Sequence, residues 1–147
     1  MKKFTLILVI AAVFIFSKTA QAQSYEGAPA TAGHYKALYM LDDSVTYKMQ
    51  HILRNIDNAL EDPRLKGKLE IELVVFGQGY NIYKKTGSYE QQLLALQKKG
   101  VVLTMCNNTM KAGHIERESL FPFVNYVPSG NGEIIIRGSD GWVVVHP

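Results

Sequence analysis

Cys106 is the only cysteine in the 147-residue sequence. It closes the run Val101-Val102-Leu103-Thr104-Met105, which follows Gly100 and reads as a short buried strand. Asn107, Asn108 and Thr109 come next, and these are helix N-cap residue types. The pattern predicts a strand that delivers one thiol to the start of a helix. Free N–H groups and the positive end of a helix dipole favour the thiolate there. The thiolate is the nucleophilic form, so the chemistry on offer is nucleophilic attack and thiol exchange. A lone cysteine also fits the part of a small core hydrophobe, and the residue pattern leaves both readings open.

Other chemistry-bearing residues are sparse. Asp42-Asp43 can polarise a ligand or cap a helix, and capping is the reading for Asp43. Gly77-Gln78-Gly79 is too short for a dinucleotide fingerprint and reads as a turn with positive φ. Lys84 and Lys85 read as a solvated pair. The four histidines, His34, His51, His114 and His146, show no metal-ligand spacing with one another or with Cys106. There is no phosphate loop and no Gly-x-Ser-x-Gly elbow. Neither a cofactor nor a metal is expected. Tyr39, Tyr80, Tyr83 and Tyr126 suit a site or an interface as well as the core, and core packing is the default reading.

The elements that must position the thiol alternate regularly. Tyr35–Leu41 is the first strand. Val45, Met49, Ile52, Leu53, Ile56 and Leu60 then recur at spacings of three and four, the apolar stripe of a helix that ends by Asp62-Pro63. Leu69–Phe76 is the second strand, and Asn81–Lys85 a short helical turn. Ser88-Tyr89-Glu90-Gln91 is a capping-box pattern. It opens a helix with Leu93, Leu94 and Leu96 inward, stopped at Gly100. A helix from about Thr109 to Glu118 follows Cys106. Phe123–Val127 is a fourth strand and Trp142–His146 the last. The segment 129–138 is ambiguous, because Ile134-Ile135-Ile136 has strand propensity. Alternating strands and helices predict a five-stranded, mainly parallel sheet in a flavodoxin-like α/β/α sandwich. Ligands in such sheets sit beyond the carboxyl ends of the strands. The residues there are Asp42, Phe76, Gly77, Cys106, Asn107 and Asn108, the candidate site.

The compartment is read from the N-terminus. Lys2 and Lys3 precede an uncharged run from Phe4 to Phe16, and Ala20-Gln21-Ala22 follows. This is the pattern of a secretory signal peptide, too short to span a membrane. Residues 1–22 are expected to be cleaved, leaving no stable membrane anchor and a periplasmic or secreted protein. Residues 23–33 read as a flexible leader, and 34–147 as one domain. The signal holds three of the 16 Lys and Arg residues and none of the 13 acids, so the mature chain carries no formal net charge. That offers no basic face for nucleic acid.

The run Gly100-Val101-Val102, Cys106, Asn108-Thr109-Met110, Ile115 and Leu120-x-Pro122 resembles the DsrE/DsrF-like (TusD/YchN-like) sulfur-relay family. So do Val75-Phe76-Gly77-x-Gly79, Gly141-Trp142 and Pro147. The resemblance implies the flavodoxin-like fold, a homo-oligomer (trimer or hexamer), and a helix across 129–138. It also implies that Cys106 takes sulfane sulfur as a persulfide from an unidentified donor and yields it to an acceptor thiol, without a redox cofactor or metal. The alternatives are a non-catalytic small-ligand-binding module and a thiol redox sensor of the same fold.

Overall fold

The computed structural model describes residues 25–147. The expected signal peptide lies outside the described residues. The described part of the leader, 25–33, carries no helix or strand.

Five strands form the sheet: β1 (Tyr35–Leu41), β2 (Leu69–Val75), β3 (Val102–Cys106), β4 (Asn125–Val127) and β5 (Val143–Val145). Their order is β4-β3-β2-β1-β5, and every pairing is parallel. Four helices connect them: α1 (Thr46–Glu61), α2 (Glu90–Lys98), α3 (Asn107–Ala112) and α4 (Gly130–Ser139). The architecture is the expected flavodoxin-like α/β/α sandwich.

The first three crossovers step the chain one strand at a time from β1 to β4. The fourth, through α4, carries it back across the sheet to the far side of β1. Right-handed crossovers in opposite directions must lie on opposite faces. Hence, among the described residues, α1, α2 and α3 cover one face and α4 alone covers the other. The cores follow this division. Tyr39, Leu73, Leu103 and Met105 of the strands are buried with Ile52 and Ile56 of α1, Leu93 and Leu96 of α2, and Met110 of α3. On the α4 face only Leu38, Val74 and Trp142 form a buried apolar cluster, with Ile134 packed against it. Strand residues alternate between faces, so Thr104 and Cys106 belong to the α4 side.

Four local expectations are corrected. The helix after Cys106 starts at Asn107 and stops at Ala112, well short of Glu118. His114 N–H bonds the Lys111 carbonyl and Ile115 N–H the Met110 carbonyl, with His114 at φ +48. This is a Schellman stop with histidine in the usual glycine place. A separate 3-10 turn follows at Arg117–Ser119. The capping box at Ser88 is not formed. The second helix begins one residue later, with Tyr89 at its N-cap position and no side-chain cap. The Tyr89 ring is instead buried in the main core. Leu94 is half-buried and takes no part in the core. The turn expected at Asn81–Lys85 is a 3-10 helix over Gly77–Tyr83. The ambiguous segment is helical, as the family resemblance implied: Ser129 accepts a bond from Gly132 N–H and caps it.

Candidate functional site

Cys106 is the last residue of β3 and the N-cap residue of α3, with extended backbone. The cap is thus the cysteine itself, and Asn107, Asn108 and Thr109 are the first three helical residues. An N-cap side chain faces the N–H groups of the second and third helical residues, here Asn108 and Thr109. The neutral thiol, a weak acceptor, closes no cap bond of ordinary geometry. Its anion is different. Burial pushes the Cys106 pKa up. Hydrogen bonding from the Thr109 N–H, the Gly130 N–H, the Thr109 hydroxyl and the Asn108 N–H pulls it down further, so the thiol lies below its ordinary value. The donors are uncharged groups at the starts of two helices, α3 and α4.

The turn after β2 supports the arrangement. Gly77, at φ +50, donates its N–H to the Thr109 hydroxyl oxygen at 3.0 Å. That leaves the hydroxyl hydrogen free for the sulfur. Phe76 packs against Gly130: a Cβ on Gly130 would lie 3.1 Å from the Phe76 ring. Only glycine lets the start of α4 come so close to the end of β2.

The structure brings Phe76, Gly77, Asn107 and Asn108 to the thiol's edge of the sheet. The Asn107 side chain is taken up by Arg117, whose Nη2 lies 3.4 Å from its Oδ1. Asp42 directly follows β1 and lies against the turn after β2, where a Cβ on Gly77 would stand 3.1 Å from the Asp42 carbonyl oxygen. Its carboxylate faces His146 at 3.4 Å across the point where the strand order reverses. Asp43 accepts the Val45 N–H at 2.9 Å and pairs with Lys48, in keeping with a helix-start role. Lys84 lies over the Tyr80 ring, 4.6 Å from its centroid. His51 stacks on Tyr47 and bonds Asn55. Tyr39 and Tyr83 are buried in the main core, Tyr80 and Tyr126 pack at its margin, and Tyr126 lies against the Arg117 guanidinium.

Sequence reasoning placed Thr109 at the helix start but missed its hydroxyl, and it missed Gly130 altogether. The Gly77 N–H reaches the sulfur only through the Thr109 hydroxyl. Glu72, also missed, is wholly buried in β2. The alternation Leu69-Glu70-Ile71-Glu72 hides it, because such a pattern reads as a strand with one solvated face. An open cavity of about 670 Å³ adjoins the thiol edge, lined by Asn107, Asn108, Lys111, His114, Arg117 and Pro128 among others. Cys106 is not in its lining and is 5% exposed. Two of the lining residues directly follow it, and Pro128 follows Val127, its ladder partner.

With this geometry in hand, comparison with known proteins is specific. The profile of the DsrE/DsrF-like family matches residues 11–147. The chain belongs to the DsrE/DsrF-like family. Among solved structures it is similar to the protein of unknown function MTH1491 from Methanobacterium thermoautotrophicum. The two share 26% identity and a TM-score of 0.72 over 77% of this chain and 99% of that one. No match is found among curated proteins. The family assignment made from Cys106 and its neighbours therefore stands, and so does the fold that came with it.

Proposed function

We propose that this DsrE-family protein is an exported sulfur-relay protein that carries sulfane sulfur as a persulfide on Cys106. One observation carries the reading: Cys106 sits at the start of α3, where the amides of two helix starts and the Thr109 hydroxyl stabilise its anion. A raised thiol pKa would have counted against it.

In the loading step the Cys106 thiolate attacks the outer sulfur of a donor persulfide. A bond forms between Sγ and that sulfur, the donor's S–S bond breaks, and the donor leaves as a thiolate. In the unloading step an acceptor thiolate attacks the outer sulfur of the Cys106 persulfide and Cys106 is released as thiolate. Neither step changes the total oxidation state, so no electron carrier is required. Asn108, Thr109 and Gly130 stabilise the leaving Cys106 anion. The open cavity lined by Asn107, Asn108 and Pro128 supports docking of an acceptor beside the strand end that carries the thiol.

Assembly and export belong to the same reading. Ile135 and Ile136 of α4 and Val143 and Val144 of the edge strand β5 are exposed. Such apolar surface supports association of copies into a trimer or hexamer. Light scattering of the purified protein checks this. The charged start, apolar run and Ala20-Gln21-Ala22 of the sequence support export, and a mature N-terminus at Gln23 is the expected finding.

The 5% exposure of Cys106 favours a second reading, a small-ligand-binding module with an inert thiol. Intact mass measurement after exposure to polysulfide separates the two. A reducible gain of one sulfur atom on the wild type, absent from Cys106→Ser, supports the relay. No adduct, together with a thiol that alkylates only on unfolding, establishes the inert module.

A further inference from the structure

The α4 helix is the only one on its face of the described residues, and it begins at the thiol. Little apolar contact within one copy of the chain holds it there. Ile134 reaches the small cluster of Leu38, Val74 and Trp142, while Ile135 and Ile136 are 68% and 58% exposed. The remaining attachment is ionic. Arg137 Nε lies 2.9 Å from Glu72 Oε2 and donates to Glu133 Oε1 at 2.9 Å. Its guanidinium rests on the Trp142 ring, 4.4 Å from the centroid.

Glu72 has no exposed surface. Its Oε1 accepts the Thr104 hydroxyl at 2.9 Å. Its Oε2 has no aligned hydrogen bond and meets Arg137 as charge alone. A buried ion pair costs desolvation that an apolar residue avoids, so packing gives no reason for Glu72. Thr104 is two residues before Cys106 on the same strand face. Glu72 itself is in register with Val102, so the pair stands two rows of side chains from the thiol. From Arg137 to Gly130 is two turns of one helix, about 10 Å at the α-helical rise. A rigid helix anchored at one end is fixed at the other.

We propose that Glu72 and Arg137 form a positioning clamp, which holds α4 against the sheet so that its first residue, Gly130, stays beside the Cys106 sulfur. Neither residue touches the reacting atoms. The clamp acts through Gly130, whose other constraint is the Phe76 ring. Its bearing on chemistry rests on the reading of Cys106 as the working thiol. The charged or titratable groups facing Glu72 are Arg137 and Glu133 of α4 and Tyr83 of the 3-10 turn.

The test combines the pH profile of Cys106 alkylation by iodoacetamide with amide hydrogen exchange, on wild type, Glu72→Gln, Arg137→Met and the double variant. Asp57→Asn, which breaks the exposed pair with Lys99 (2.5 Å), is the control. Each clamp variant is expected to raise the alkylation midpoint by about one unit, a tenfold loss of thiolate below the midpoint. The α4 amides exchange about tenfold or more faster, as for a loosened local unit, while those of α1 do not. The control changes neither readout. Lower thermal stability with midpoint and α4 exchange unchanged would overturn the clamp. Glu72→Gln keeps side-chain shape, so the test survives if Arg137→Met fails to fold. A wild-type midpoint at the ordinary thiol value would overturn the reading of Cys106, and α4 exchange alone would then decide the clamp.

Discussion

The two faces of the sheet are built differently. The face under α1, α2 and α3 is a continuous apolar core from Ala37 to Val124. The face under α4 has three buried apolar residues, a buried glutamate, a threonine hydroxyl and the thiol. Transfer of apolar side chains from water supplies most folding energy, so the first face holds the protein together. The second has little such energy, and its polar groups are specified one by one. The lesson is a division of labour across one sheet: β3 serves stability through Leu103 and Met105 and chemistry through Thr104 and Cys106.

Core truncation breaks this comparison most directly. Ile56→Ala, in the fully buried stripe of α1, is expected to cost about 3–4 kcal/mol in urea unfolding. Ile134→Ala on α4 should cost about 1 kcal/mol, in line with a half-buried site that leaves no closed cavity. Equal losses would refute the division.

Gly130→Ala sharpens it. The new Cβ meets the Phe76 ring at 3.1 Å, and such overpacking costs about 1–2 kcal/mol. The start of α4 must then move from the sulfur. The alkylation midpoint of Cys106 is expected to rise by about one unit, a tenfold effect, and Phe76→Leu in the same chain to restore part of it.

Acid separates the faces by sign. Glu61, bonded by Lys66 and Lys99, and Asp62, bonded by Arg64, both have pKa values lowered to about 2. Lowered folded values stabilise above the unfolded pKa. That stability is lost as pH falls from about 4.5 for Glu61 and 3.8 for Asp62 toward 2. These groups are exposed, so the loss should shrink in high salt. Glu72 is raised, first by burial. Its protonation favours the folded state below the unfolded pKa, and that gain is lost as pH rises through the folded value. Urea titrations of wild type and Glu72→Gln across this range should therefore diverge in slope.

The smallest effect is at the end of α3. His114 occupies a left-handed conformation that glycine adopts without cost. His114→Gly should stabilise by about 0.5 kcal/mol, the strain relief less the added freedom of the unfolded chain. Thermal unfolding at fixed pH checks it.

The strands and the long helix were legible because their signals are local. The alternation and apolar runs of Tyr35–Leu41 and Leu69–Val75, and the stripe from Met49 to Leu60, need no knowledge of partners. The thiol's place at a strand-to-helix junction was legible for the same reason. The end of α3 was not, because a histidine stood where a stop usually shows glycine. The 129–138 helix was decided by family likeness against Ile134-Ile135-Ile136, whose strand propensity yields to the Ser129 cap. Gly130 and Glu72 were hidden because their roles arise from contacts between distant segments. The sequence shows a glycine and a charge, and only the fold puts one on the sulfur and the other beneath Arg137.

The most direct test of the relay is a discharge experiment. Protein loaded with polysulfide is freed of excess reagent, mixed with a low-mass thiol, and followed by intact mass. The account predicts that Cys106 loses one sulfur atom while the protein stays folded, and that the sulfur is recovered as a persulfide on the added thiol. A sulfur that cannot be loaded, or that leaves only when the protein is unfolded, would contradict it.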